Sequence, residues 1–220
     1  MSRQNEFGAS WWAKHWRAQI ELLYEGNRMQ RGRTYARDGY VENIRLVKDN
    51  VHADVAGRRI RPYKVTIAFH KISPEQRQKL LSVLAERPRY TAMLLDGEMP
   101  REIEEICKEA RFSLFPDSER ELITECSCPD VENPCKHIAA VLYVLGSRMN
   151  ENPFLLLEMR GVSRAFVMEN LRNNWKKEEG GQLENRRTLN GKAKCFPRML
   201  TCGKLRPAGR SGRQARILMK

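Results

Sequence analysis

The chain has 220 residues, 41% of them hydrophobic, and 40 Lys and Arg against 27 Asp and Glu give a formal net charge of +13. That is enough for one substantial packed domain or two small ones, while no stretch approaches the roughly 20 apolar residues of a membrane-spanning helix. The first 30 residues hold no signal-peptide run either, since Trp11-Trp12 is followed at once by Lys14, His15 and Arg17. The expected setting is therefore cytoplasmic and away from membranes. The charge is unevenly placed. Residues 176–220 carry 13 basic and 3 acidic residues, leaving 27 basic and 24 acidic in residues 1–175. The excess belongs mainly to the end of the chain, and it does not by itself make the body a nucleic-acid binder.

In chain order, Trp12, Trp16, Gln19, Ile20 and Leu23 fall near one helical face and predict a Trp-rich first helix whose rings anchor it to a core. Arg28, Arg31, Arg33 and Arg37 follow around Gly32-Arg33-Thr34-Tyr35, read as an Arg-rich loop. Three strands come next: Val41–Val47, a Lys48-Asp49-Asn50 turn, Val51–Val55, then Tyr63–Phe69. In the third, Tyr63, Val65, Ile67 and Phe69 alternate with Lys64, Thr66 and Ala68, as in an antiparallel sheet with one buried face. Arg58, Arg59, Arg61 and Lys64 surround the loop into that strand. Ser73-Pro74-Glu75 opens a helix to about Glu86, and Pro100 starts another toward Ala110, whose Glu102, Glu104, Glu105 and Glu109 read as a solvated face.

Phe112–Phe115 and Glu121–Thr124 read as two short strands around Pro116-Asp117-Ser118, a hairpin feeding into Cys126-Ser127-Cys128. Side chains alternate along a strand, so Cys126 and Cys128 point the same way and Ser127 points outward. Six residues later come Cys135-Lys136-His137. Asn133 suits a helix N-cap and Pro134 the first helical position, with Ile138, Val141, Leu142 and Leu145 recurring at helical spacing before Gly146 stops the helix. Three thiolates and an imidazole thus lie within twelve residues, a complete tetrahedral ligand set for one structural zinc. The helix N-terminus favours the thiolate form at Cys135. A disulfide framework is the competing use of six cysteines, and a reducing compartment argues against it. Cys107 reads as a buried thiol, Cys195 and Cys202 as unremarkable thiols of the last segment. His15, His52 and His70 have no ligand partner nearby.

Cys-x-Cys with Pro129-Asp130, followed by Pro134-Cys135-Lys136-His137-Ile138-Ala139-Ala140-Val141, resembles a SWIM-type zinc finger. Phe7-Gly8, Trp11-Trp12, Arg31–Arg37, Arg61-Pro62-Tyr63, Asn152–Leu156 and Arg160-Gly161 extend the resemblance to bacterial SWIM zinc finger proteins over residues 7–172. The resemblance implies a DNA-binding or protein-interaction module that accompanies helicase-like ATPases of the chromatin-remodelling type.

An enzyme reading finds little support. A zinc deaminase needs a His-x-Glu element and an open metal position, and a P-loop ATPase needs a Gly-rich loop with Lys and Ser or Thr; the sequence has none of these. The expected fold is α+β: an N-terminal helix and small antiparallel sheet, a helical connector, and a ββα finger. The expected divisions are residues 1–110, the finger at 111–149, a docking helix at 150–175, and a basic tail at 176–220. The expected function is binding without catalysis, either as a DNA-associated accessory factor beside a helicase-like ATPase or as a protein-interaction adaptor with a purely structural zinc. Nucleic-acid contacts would fall to Arg31, Arg33, Arg37, Arg58, Arg59, Arg61 and Lys64, for which a solvated rim is the competing reading.

Overall fold

The computed structural model describes residues 7–173. The fold is α+β, with helices α1 (Trp11–Leu23), α2 (Asn27–Arg37), α3 (Pro74–Glu86), α4 (Pro88–Asp96), α5 (Ile103–Glu109), α6 (Lys136–Glu151) and α7 (Phe154–Met159), and a last helical stretch at residues 164–173. Strands β1 (Val41–Val47), β2 (Asn50–Val55), β3 (Tyr63–Phe69) and β4 (Leu122–Cys126) form one antiparallel sheet in the order β1-β2-β3-β4. The buried face of the sheet carries Val51, Ala53 and Val55 of β2 with Val65, Ile67 and Phe69 of β3, as the alternation predicts. The expected tail and its Cys195 and Cys202 lie outside the described residues.

The Trp-rich helix is an anchor. Ser10 caps α1 by accepting from the Ala13 N–H, and the Asn150 carboxamide accepts from the N–H groups of Ala9 and Ser10 at 2.9 and 2.8 Å. All three indoles donate to distant carbonyls: Trp11 to Met99 (3.1 Å), Trp12 to Met149 (2.7 Å) and Trp16 to Leu142 (2.9 Å). Trp16 is fully buried. Gly146 does not stop α6, which runs on to Glu151; a Cβ there would lie 3.2 Å from the Trp16 ring, so the glycine makes room for the indole. Ser73 and Gln76 form the capping box that opens α3.

Two helices escape the sequence reading. The Arg-rich segment expected as a loop is α2, which buries only Met29 and Gly32. With so few apolar residues it shows no helical stripe, and its stability comes from crossing α6 at a point of backbone contact. A Cβ on Gly32 would sit 2.3 Å from the Ala139 Cβ. Helix α4 is also missed, because Pro88 and Gly97 bracket only nine residues.

The expected hairpin is the main correction. Residues 112–115 form no strand, and β4 pairs instead with β3, Phe69 opposite Leu122 and Val65 opposite Cys126. Leu114 and Phe115 are consecutive and both buried, which a two-faced strand does not permit. Their carbonyls receive Arg160 Nε and Nη2, each at 3.4 Å, and Nη1 reaches the His70 carbonyl at 3.4 Å. Arg160 also pairs with Glu121 at 2.6 Å and lies over the Phe69 ring at 4.2 Å. One buried guanidinium therefore does the work expected of a strand partner. In consequence residues 1–110 and 111–149 share one sheet and one core. Replacing Arg160 by Leu leaves Glu121 and three carbonyls without their donor, with an expected loss on the order of 3 kcal/mol in urea unfolding. An unchanged unfolding midpoint would contradict this role.

Candidate metal centre

Cys126 ends β4, and the chain continues alongside β3 for one more residue: the Ser127 N–H donates to the Lys64 carbonyl (3.0 Å) and the Lys64 N–H to Ser127 Oγ (2.9 Å). Ser127 is exposed, and Cys126 and Cys128 converge on the opposite side, as strand alternation predicts. Cys135 is the N-cap of α6 and His137 stands in its first turn, so the helix begins two residues later than the sequence suggests. Asn133 is not the cap. It accepts from Thr124 Oγ1 at 2.7 Å and donates to the Thr124 carbonyl at 3.4 Å, fastening the intervening loop to the free edge of β4. Arg28 of α2 holds the same loop through Asp130 (3.5 Å) and Glu132 (2.9 Å).

The four ligand atoms of Cys126, Cys128, Cys135 and His137 all lie within 4.8 Å of one another. His137 Nδ1 is 3.9 Å from both Cys126 Sγ and Cys135 Sγ. A tetrahedral zinc with sulfur and nitrogen ligands has edges of about 3.6–3.8 Å, so the group has the shape and size for one zinc ion. The donor chemistry agrees. Hydrogen bonds from the Cys126 thiol and then from His137, together with the Ile138 N–H, pull the Cys135 thiol down to about 4 against the effect of burial. The Cys126 thiol is pushed up, chiefly by that same hydrogen bond to Cys135 and then by burial, and burial raises Cys128 as well. Without a cation one thiolate forms and its neighbours donate to it. A bound dication is what allows all three to ionise.

Around the ligands the packing is aromatic. The Tyr63 ring lies against the His137 ring with centroids 4.4 Å apart at 30°, and Tyr35 meets it edge-on at 5.8 Å. Lys136 donates to the Tyr35 hydroxyl at 2.6 Å and sits 4.4 Å from the centre of that ring. His137 Nε2 is buried beside Gly57, without a hydrogen-bond partner among the described residues. Packing between Tyr35 and Tyr63 fixes the orientation of the imidazole, the part that a hydrogen-bonded outer shell plays at most metal-ligating histidines.

The basic clusters divide. Arg58, Arg59 and Arg61 are exposed on the β2–β3 loop, in which a Cβ on Gly57 would lie 2.6 Å from the Tyr63 ring and 3.6 Å from His137 Nε2. Arg58 and Arg61 make no ion pair among the described residues, and Arg59 covers the Tyr63 ring at 5.6 Å. Lys64 is paired with Asp54 at 2.9 Å, and Arg37 with Asp38 at 3.3 Å. Arg31 is exposed on α2, whereas the Arg33 charge acts on Tyr143, further along α6. The residues that sequence reasoning missed at the site are Gly57, Asn133 and the Arg28 clamp. Of these only Asn133 carries a local signal, and that signal suits an N-cap equally well.

The sequence model of the SWIM zinc finger matches residues 113–146. The chain is 41% identical over 170 residues to the uncharacterized protein Rv2102 of Mycobacterium tuberculosis, an alignment covering 77% of this chain and 61% of that relative. The chain thus spans under two thirds of the length of the curated relative it matches. No solved structure matches it. Among the described residues no helix is long and apolar enough to cross a membrane.

The purified protein is expected to carry one zinc, by elemental analysis, and Cys135→Ser or His137→Ala to lose it together with much of the thermal stability. Full occupancy and unchanged melting in Cys135→Ser would refute the ligand assignment. Because at least the Cys126 and Cys128 thiols must release protons on binding, apparent zinc affinity should rise by about a hundredfold per pH unit near neutrality. Chelator competition at several pH values measures this slope, and a flat profile would contradict it.

Proposed function

Since the chain carries a SWIM-type zinc finger, we propose that it acts as a nucleic-acid-associated accessory factor, in which the zinc is structural and the neighbouring β2–β3 loop makes the contacts. The observation that carries the proposal is that the loop holding Arg58, Arg59 and Arg61 is seated, through Arg59, on the Tyr63 ring that packs against His137. Gly57 in that loop leaves no room for a Cβ against the Tyr63 ring, and none of the loop's three guanidinium groups has an acidic partner among the described residues. Unpaired arginines on a loop braced from below can hold phosphates bidentately at little conformational cost. Arg31, on the exposed side of α2, adds a further charge, while Arg33, Arg37 and Lys64 are already engaged within the protein.

We propose further that it works beside a helicase-like ATPase, a reading that rests on the family resemblance. A helicase-like partner of the chromatin-remodelling type would supply the chemistry, which fits a zinc whose four positions are all filled by protein and leave no place for a reacting water. An adaptor role is the second reading. It is favoured by Ile60 and Val131, which are 105% and 96% exposed on the two loops that flank the metal. Such side chains suit a protein surface that closes over them.

The deciding measurement is DNA binding by the zinc-loaded full chain across a salt series, beside the triple variant Arg58→Gln, Arg59→Gln, Arg61→Gln. Loss of the three charges should reduce the salt slope by about 2–3 units, roughly one per phosphate contact. An unchanged slope and affinity would assign any binding to the basic residues after 175 and put the adaptor reading first.

A further inference from the structure

His137 is the middle of a row of rings longer than metal binding requires. Tyr40 packs on Tyr35 with centroids 4.7 Å apart at 37°, Tyr35 meets His137, His137 lies on Tyr63, and the Arg59 guanidinium covers Tyr63. The β2–β3 loop meets both ends of the row. At one end the Ala56 N–H donates to the Tyr40 carbonyl at 2.8 Å, and at the other a Cβ on Gly57 would lie 2.6 Å from the Tyr63 ring.

The interior of the row is explained by the metal, because Tyr35 and Tyr63 exclude water from its imidazole ligand. The ends are not. Tyr40 does not touch His137 and leaves 42% of its surface open, and Arg59 presents a second flat, exposed surface above Tyr63. Arg58 and Arg61 stand exposed on the same loop as Arg59, with no acidic partner among the described residues. Two stacking faces joined by unpaired guanidinium groups have the makings of a platform for bases with their phosphates between them. In a duplex the base faces are already stacked on one another, so only a single strand can use both ends.

We propose that this surface binds single-stranded nucleic acid. One base stacks on Tyr40, another on Arg59 above Tyr63, and the connecting phosphates lie on Arg58 and Arg61. The inference rests on the nucleic-acid reading above and deepens it, by naming the strand form and adding Tyr40, which lies in neither basic cluster. The zinc contributes by fixing His137, and through it the spacing of the rings.

The test is fluorescence anisotropy of the zinc-loaded full chain with a labelled single-stranded oligodeoxynucleotide and with the duplex of the same sequence, at physiological salt. The single strand should bind at least about tenfold more tightly than the duplex, since stacking on one aromatic ring is worth roughly five- to hundredfold. Tyr40→Leu should lose most of that advantage while binding duplex as before. Tyr40→Trp should restore it, with the new indole fluorescence quenched by the strand. Arg59→Gln, on an exposed loop, probes the other end independently of how Tyr40 packs. Equal affinity for strand and duplex, or wild-type strand binding by both Tyr40→Leu and Arg59→Gln, overturns the platform while leaving the nucleic-acid reading in place. Absence of binding to either form overturns both.

Discussion

The pairing of β4 with β3 is the constraint on which the rest depends. It sets Cys126 at the end of a four-stranded sheet, opposite Val65, while Cys135 and His137 begin the helix that packs across that sheet. A metal held by all four ligands joins the sheet to α6 at the point where the two elements meet. Everything else near the site follows from that junction. The helix must approach closely enough for Gly32 to meet Ala139, Trp16 must find room at Gly146, and Tyr63, on the buried face of β3, comes to rest against the imidazole.

This arrangement differs in its physics from a finger that folds alone. In an isolated ββα unit the metal supplies most of the folding free energy, because a few dozen residues cannot bury enough apolar surface. Here β4 is short, five residues, and lies at the edge of a sheet formed largely by residues far earlier in the chain. Its hydrogen bonds, the Arg160 pairing and the burial of α6 all draw on a core built from both halves of the chain. The metal then acts on a junction already brought together by packing. Its contribution adds to that packing: stability shared with the common core, the geometry of the ligands, and the position of the loops that flank them.

How far the sequence could be read follows from which signals are local. The ligand set was legible because coordination imposes short, fixed spacings, and i, i+2 along a strand is geometry that survives whatever the strand pairs with. The Trp helix, the three-strand alternation and the Ser73 capping box were legible for the same reason. What stayed hidden was non-local. Nothing in Leu114-Phe115 says that its carbonyls are met by an arginine some 45 residues later, so a hairpin was the natural local reading. Helix α2 lacks an apolar stripe because a glycine against an alanine, backbone to backbone, replaces large side chains at its contact with α6. Asn133 shows the limit in miniature, since its residue type suits an N-cap and an edge-strand clamp equally, and the choice is made by where Thr124 lies.

The charges teach a related lesson about function. Counted along the chain, the two basic clusters looked equivalent; in three dimensions they are not. Lys64 and Arg37 have acidic partners, the Arg33 charge is spent near Tyr143, and Arg28 holds the metal loop in place. A cation already paired has little left to offer a phosphate, because the new contact must first break the old one. What separates Arg58 and Arg61 from the rest is therefore not their number but the lack of an acidic partner among the described residues, on a loop whose base is fixed by the rings around His137. A zinc held by these four ligands would influence the surface by this route: it would hold one imidazole still, the imidazole packs on Tyr63, and Tyr63 packs against the loop that carries Arg58, Arg59 and Arg61.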